Sequence, residues 1–370
     1  MERISSYQLF SMTMLFQIGT TIIFGFSSSA GRDAWIASLI STAIGVLIVS
    51  VYLFLMKLQP GLTLVEWFPT QFGKWIGTPI AWMYPLLFLY DAGRATGDIK
   101  DLIPTTILPL TPQIVIVLSF LSVITYTVYS GIENIGRISG IWMPIIVFLY
   151  LIVVGLIAAS GIIDFKNTQP IVNKGWGNIM GAVWPLGITQ TFGETIEFAM
   201  IWPLVKEEQK IVKVTLIATL ASGLLICSVD FIAILVLSEK YFSDSIYPIY
   251  TLIQQIDVAD FIENLDSISV ILFLTTAFFK ISLHIFSAVY GMQKLLKAKS
   301  YRIFIIPVAA AVSYLGMTMA DSVLEHSEVG LKILPFNLWI PLFYVLPILL
   351  FIVTIAKTGL KSLKSKDARS

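Results

Sequence analysis

The sequence predicts an all-α integral membrane protein, with about ten transmembrane helices in a five-plus-five inverted repeat and with helices 1 and 6 broken. Three observations carry that prediction. The chain of 370 residues is 56% hydrophobic and only 13% charged, where a water-soluble domain carries about 25% charged residues, and its mean hydropathy is +0.85. Its lysines and arginines crowd alternate connections. The pattern Gly-x-Thr-x-x-Phe-Gly occurs twice, as Gly19, Thr21, Phe24 and Gly25 and as Gly187, Thr189, Phe192 and Gly193, each time inside a membrane-length apolar stretch.

A helix needs about 20 apolar residues to cross the hydrocarbon. Stretches of that kind run at about 7–30, 34–57, 77–103, 113–131, 138–160, 178–203, 211–238, 267–293, 302–320 and 337–357. Nothing alternates like a barrel strand, so helices are the candidate spans. Orientation follows the excess of basic residues on the cytoplasmic side. With the N-terminus inside, the outer segments hold Arg32, Lys166, Lys174, Lys240 and Lys332, the spans hold Arg94, Lys100 and Lys280, and the other 16 of the 24 lysines and arginines lie inside. An even number of crossings also places the Lys-rich tail inside, so both termini are expected to be cytoplasmic. No small-residue cleavage site follows the first apolar run, so no cleaved signal peptide is expected. No linker divides the chain, and residues 1–370 read as one transmembrane domain with repeats at about 7–160 and 178–357.

Five crossings per half is an odd number, so the halves enter the membrane from opposite sides. Helices 1 and 6 then correspond, and these carry the two glycine patterns. Glycine lets the backbone leave helical angles without steric cost. Paired Gly-interrupted spans at matching places in two halves point to a transporter-type site, where an unwound backbone offers free N–H and C=O groups. Gly19, Thr20, Thr21 and Gly25 on helix 1 and Gly187, Thr189, Gln190 and Gly193 on helix 6 are therefore candidate ligand-binding residues. Small residues that merely let helices pack closely are the alternative.

The remaining elements add polar groups that lipid would not tolerate. Helix 3 carries Tyr90, Asp91, Arg94, Asp98, Lys100 and Asp101, and Asp91, Arg94 and Asp98 share one face. That stripe should face the interior or a wet cavity. Tyr90 and Asp91 are candidate pocket residues, while Asp91 and Arg94 pairing with each other or with helix 8 is the plainer reading. Glu194 and Glu197 lie three apart on helix 6, and Glu194, directly after Gly193, is the better ligand candidate. Cys227 on helix 7 reads as a small packed hydrophobe. The connection at 240–266 reads as an amphipathic outer helix and a lid, with Asp260 and Glu263 on its acidic part. On helix 8, Lys280 sits mid-membrane, where an ionisable group costs at least about 2.5–3.5 kcal/mol on insertion scales. An ion pair with Glu194 or Glu197 explains it, with or without a ligand role. His284 reads as a hydrogen-bonder within the bundle and His326 as a solvated loop residue. Trp35, Trp75, Trp176 and Trp339 read as interfacial anchors.

Two motifs narrow the family. Leu108-Pro109-Leu110-Thr111-Pro112 follows helix 3, and Gly131-Ile132-Glu133-Asn134-Ile135-Gly136-Arg137 joins helices 4 and 5. Both resemble signatures of the endospore germination permeases, the B subunits of spore germinant receptors, within the amino acid/polyamine/organocation transporter superfamily. Ile18-Gly19-Thr20 is similar to the Gly-rich break of amino acid permeases, with Thr21 where a second glycine is usual. The resemblance implies an amino acid permease-like fold in the spore inner membrane. It implies a nutrient ligand, with an amino acid expected, bound between helices 1 and 6 and walled by helices 3 and 8. A carboxylate such as Glu194 would take the ligand's amine, and a half-helix start its carboxylate. Lys280 would then occupy the position where sodium-coupled relatives hold a cation. The implied partners are a larger A-type membrane subunit and a C-type lipoprotein subunit. A stand-alone amino acid transporter is the alternative function, and a membrane anchor a third.

Other classes lack support in the sequence. The net charge of +1 implies no attraction to nucleic acid. Two separated histidines and one cysteine form no metal-ligand pattern. No cofactor is expected, and no phosphate loop, nucleophile elbow or dinucleotide fingerprint suggests an enzyme.

Overall fold

The computed structural model describes residues 3–25, 27–257 and 265–367. Among the described residues the protein is all-α, a multi-pass membrane protein whose helices make ten crossings in two inverted halves. Helix 1 begins at a capping box formed by Ser5 and Gln8, runs over Ser6–Ile18, and stops at Gly19 (φ 32, ψ −128). A single turn, Thr21–Phe24, follows and ends at Gly25 in the left-handed region (φ 53, ψ 62). Helix 2 is Ala34–Leu58. Helix 3 lies in Leu64–Thr106, which Gly73 (φ 77, ψ 170) divides, so its first turns form a separate helix before the crossing. Helix 4 is Gln113–Tyr129 and helix 5 is Ile132–Ala159. Helix 5 starts earlier than the hydropathy suggests because Gly131 caps it and Glu133 pairs with Arg137 at 2.6 Å across one turn.

Helix 6 is the least regular crossing. It runs through Trp176–Ala182 and a π-helical stretch Val183–Gly187, loosens at 190–192, and resumes as a 3-10 helix Gly193–Met200. Helix 7 is Ile211–Asp244, bent at Ser238 (φ 63). Helix 8 is Asp266–Leu296, helix 9 is Arg302–Thr318, and helix 10 joins a π-helical Pro335–Val345 to Leu346–Asp367. Among the described residues seven helices are long and apolar enough to cross a membrane by that criterion alone. The other three crossings miss it for physical reasons. Helix 3 carries five charges between Asp91 and Asp101, helix 4 has only 17 residues, and helix 6 is interrupted.

Burial sorts the crossings. The apolar windows of helices 1 and 8 are 72% and 67% buried, whereas those of helices 5 and 9 are 17% and 28% buried. Helices 1 and 8 are thus central, packed with helix 3, and helices 5 and 9 lie at the periphery of the bundle. The chain start is tied to the end of helix 6: Ile4 N–H donates to Leu204 O at 3.0 Å and Lys206 N–H to Ile4 O at 2.9 Å. In the 240–266 connection a helix does form, Pro248–Gln254, and it buries Ile249, Leu252 and Ile253. Asp260 and Glu263 lie outside the described residues.

Candidate ligand-binding site

Both glycine-marked crossings are interrupted where the pattern lies, and the two interruptions meet. Thr191 Oγ1 donates to Thr21 Oγ1 at 3.2 Å, joining the broken segments. Gly19 is required at its position twice over. Its φ of +32 suits glycine, and a Cβ there would sit 2.5 Å from the Lys280 stem and 2.6 Å from Phe16 O. Its freed carbonyl accepts from Thr276 Oγ1 of helix 8 at 2.8 Å. On the far side of helix 1, Gln17 donates to Thr195 at 2.8 Å and Thr219 at 3.0 Å, and Ser222 donates back to Gln17 Oε1 at 2.5 Å. Three tyrosines brace helix 6 and helix 10: Tyr344 donates to Ile188 O (2.7 Å), Tyr52 to Phe343 O (2.6 Å) and Tyr84 to Leu342 O (2.8 Å).

Beside the breaks lies a cavity of about 70 Å³ lined by Thr20, Phe24, Asp91, Arg94, Ala95, Asp98, Gln190, Glu194, Lys280, His284, His326, Ser327, Gly330, Leu331 and Trp339. A buried water needs about 10–15 Å³ on this scale, so several waters or the polar end of a small ligand fit. The Lys280 ammonium lies 2.6 Å from Glu194 Oε2 with both side chains about nineteen-twentieths buried, at 4% and 5% exposed. This is the ion pair that the sequence offers as one account of Lys280. Lys280 also stands 5.6 Å from the Phe16 ring. Glu197 is engaged separately, 2.6 Å from His284 Nδ1, so His284 is a bundle hydrogen-bonder. Trp339 Nε1 donates to Asp91 Oδ1 at 3.3 Å, while Asp91 Oδ2 and Gln190 Oε1 are buried with no hydrogen-bond partner among the described residues. Buried polar atoms left open in this way are costly, and here both belong to residues of one cavity.

Of the residues singled out from the sequence, Thr20, Asp91, Gln190, Glu194 and Lys280 line the cavity. Gly19 backs Lys280 from behind. Thr21 is buried in the contact between the breaks, and Thr189 donates to Pro185 O at 3.0 Å within helix 6. Gly187 and Gly193 are buried in helix 6, and Gly25 sits under Phe242 and Pro248. Tyr90 is half-buried against the core and does not line the cavity. The spacing that places Tyr90 next to Asp91 in sequence turns it to another face of helix 3.

Two residues depart from their sequence reading. His326 is 3% exposed rather than solvated, with Nε2 2.9 Å from Asp98 Oδ1 and its ring against Gly97. Trp339 is buried in the cavity wall rather than held at the interface. Arg94 donates to His326 O at 2.8 Å, which fastens the segment before helix 10 to helix 3. The signal for this was faint: Gly93 and Gly97, one turn apart, leave room on helix 3 for close neighbours, Leu315 and His326.

Comparison with known proteins agrees with this architecture. Residues 3–323 match the family model described as spore germination protein. Spore germination protein KB of Bacillus subtilis (strain 168) is 30% identical over 355 residues, covering 96% of this chain and 95% of that protein. Spore germination protein A2 of the same organism is 22% identical over 316 residues, covering 83% of this chain and 85% of that protein. The chain belongs to the spore germination protein family and is a permease-like membrane protein. Its fold is similar to that of Mhp1, a nucleobase-cation-symport-1 family transporter solved in a closed conformation with bromovinylhydantoin bound. That match has a TM-score of 0.64 and 13% identity, and covers 87% of this chain and 74% of that one.

Proposed function

We propose that this chain is the nutrient-sensing subunit of a spore germinant receptor and that it binds an amino acid in the cavity between broken helices 1 and 6. One observation carries the reading: Asp91 Oδ2, a buried carboxylate oxygen with no hydrogen-bond partner among the described residues, belongs to a residue lining the cavity that Arg94 also lines, one turn along helix 3. Glu194 is already neutralised by Lys280, so Asp91 is the carboxylate free to receive the ligand's ammonium. Arg94 has donors to spare for the ligand's carboxylate. Gln190 Oε1 supplies a second acceptor. Lys280 serves as a fixed cation at the break, holding Glu194 and helix 6 against helix 1.

The protein acts in the spore inner membrane, the location that its likeness to spore germination proteins supports, with both termini cytoplasmic, the orientation that the distribution of basic residues supports. Ligand bound across helices 1, 3 and 6 favours the closed form because it makes more contacts there, which shifts the population. That shift passes to a larger membrane subunit and a lipoprotein subunit. The fold shared with a transporter favours one alternative, stand-alone uptake of amino acids. Purified protein in liposomes, offered radiolabelled amino acids one at a time, separates the two. Saturable binding without accumulation supports the sensor; accumulation without partner subunits overturns it, and absence of binding by any of them removes the ligand role.

A further inference from the structure

Four of the five basic residues on the outer segments gather in one place, at the end of the bundle opposite the chain termini. Arg32, Lys166, Lys174 and Lys240 come from the helix 1–2 connection, the helix 5–6 connection, the entry to helix 6 and the end of helix 7. Together with Glu239 and Asp244 they line an open bay of about 520 Å³. Four cations against two carboxylates leave the bay positive.

The bay has a fixed floor. Glu239 receives Arg32 Nε at 2.8 Å and Lys174 Nζ at 2.6 Å. Gly31 makes room for this clamp, since a Cβ there would lie 2.5 Å from Glu239 Oε1. Asn167 donates to Leu235 O at 3.0 Å, and Arg32 also donates to Gln169 O. By contrast, Lys166 and Lys240 are exposed, and among the described residues neither ammonium has a carboxylate within ion-pair distance. Among the described residues, then, two lysines without a carboxylate partner stand on a positively charged rim whose floor is held by the Arg32–Glu239–Lys174 contacts.

The neighbours of these lysines decide what the bay meets. Phe165 beside Lys166 is 68% exposed, Trp176 two residues after Lys174 is 59% exposed, and Tyr241 after Lys240 is 68% exposed. Aromatic side chains that point outward next to basic ones mark the headgroup level of a bilayer. A soluble anion would need the lysines but not the aromatic fringe. We infer that the bay is a binding site for the headgroup of an anionic phospholipid, with Lys166 and Lys240 on its phosphate and Phe165, Trp176 and Tyr241 against its glycerol and upper acyl chains. This site is separate from the central cavity and does not depend on its ligand.

The test uses the detergent-purified full chain, with native mass spectrometry following titration by dioleoyl phosphatidylglycerol, dioleoyl phosphatidylcholine or free glycerol phosphate. Phosphatidylglycerol should be retained as a preferred adduct on the wild type. In Lys166→Gln/Lys240→Gln that adduct should weaken roughly thirtyfold, the effect of two lysines at an anionic surface. Both side chains are exposed, so the melting temperature should not change. Lys297→Gln/Lys299→Gln, at the opposite end, should leave the adduct in place. Equal retention of phosphatidylglycerol by the outer variant, no preference over phosphatidylcholine, competition by glycerol phosphate at equal strength, or loss of the adduct in the Lys297/Lys299 variant would each overturn the inference.

Discussion

Replacing Lys280 with methionine keeps an unbranched stem against Gly19 and removes the ammonium. Glu194 then loses the cation 2.6 Å away, in a site where both side chains are almost fully buried. Asp91 and Glu197, which also feel the Lys280 charge, lose it too. Removing one partner of a buried pair costs about 3–5 kcal/mol because the other charge is left uncompensated. The adjoining cavity of about 70 Å³ has room and polar lining for water, which favours the lower end, about 3 kcal/mol. At about 2–4 °C per kcal/mol, a fall in melting temperature on the order of 6–12 °C follows. Glu194→Gln should cost less, because Lys280 keeps Asp91 and Glu197 as nearby carboxylates. The double variant Lys280→Met/Glu194→Gln should recover more than half of the Lys280→Met loss, since no unpaired charge remains at the contact. Thermal unfolding in detergent, run as a double-mutant cycle, reads all three. A Lys280→Met protein that melts with the wild type, or single losses that simply add in the double variant, would refute the coupling.

Further outcomes follow from the same geometry. Gly19→Ala should destabilise by more than about 3 kcal/mol, as strained backbone and a Cβ 2.5 Å from Lys280 act together, whereas Gly25→Ala, with its nearest neighbour at 3.3 Å, should cost about 1–2 kcal/mol; melting temperatures compare them. His326→Ala removes the ring that bridges to Asp98, so amide exchange across Val323–Ile333 should speed up while the breaks in helices 1 and 6 keep their protection. Unchanged exchange there would show that Arg94 alone holds the segment.

Most of the architecture was legible because lipid imposes it. Apolar runs of membrane length marked the crossings, and the glycine patterns marked where helices 1 and 6 come apart. Helix 8 was legible for the same reason: a mid-membrane lysine needs a partner, and Glu194 was one of two named. The parts that escaped are set by tertiary contact rather than local pattern. Nothing around His326 separates it from a solvated loop residue; it is buried because Gly97 has no side chain and Asp98 offers an acceptor. Trp339 has the span-end position of an interfacial anchor, yet Asp91 draws it inward. The 3-10 form of Gly193–Met200 and the π-helical start of helix 10 likewise have no simple sequence period to announce them.

Ligand-induced stabilisation tests the central proposal most directly. Wild type and Asp91→Asn are each melted in detergent with every proteinogenic amino acid in turn as the probe. At least one neutral amino acid should raise the wild-type melting temperature in a saturable way and leave Asp91→Asn, itself folded, unmoved. Stabilisation that survives intact in Asp91→Asn would contradict the assignment of the ammonium to this carboxylate, and a flat response of the wild type to every amino acid would contradict an amino acid ligand altogether.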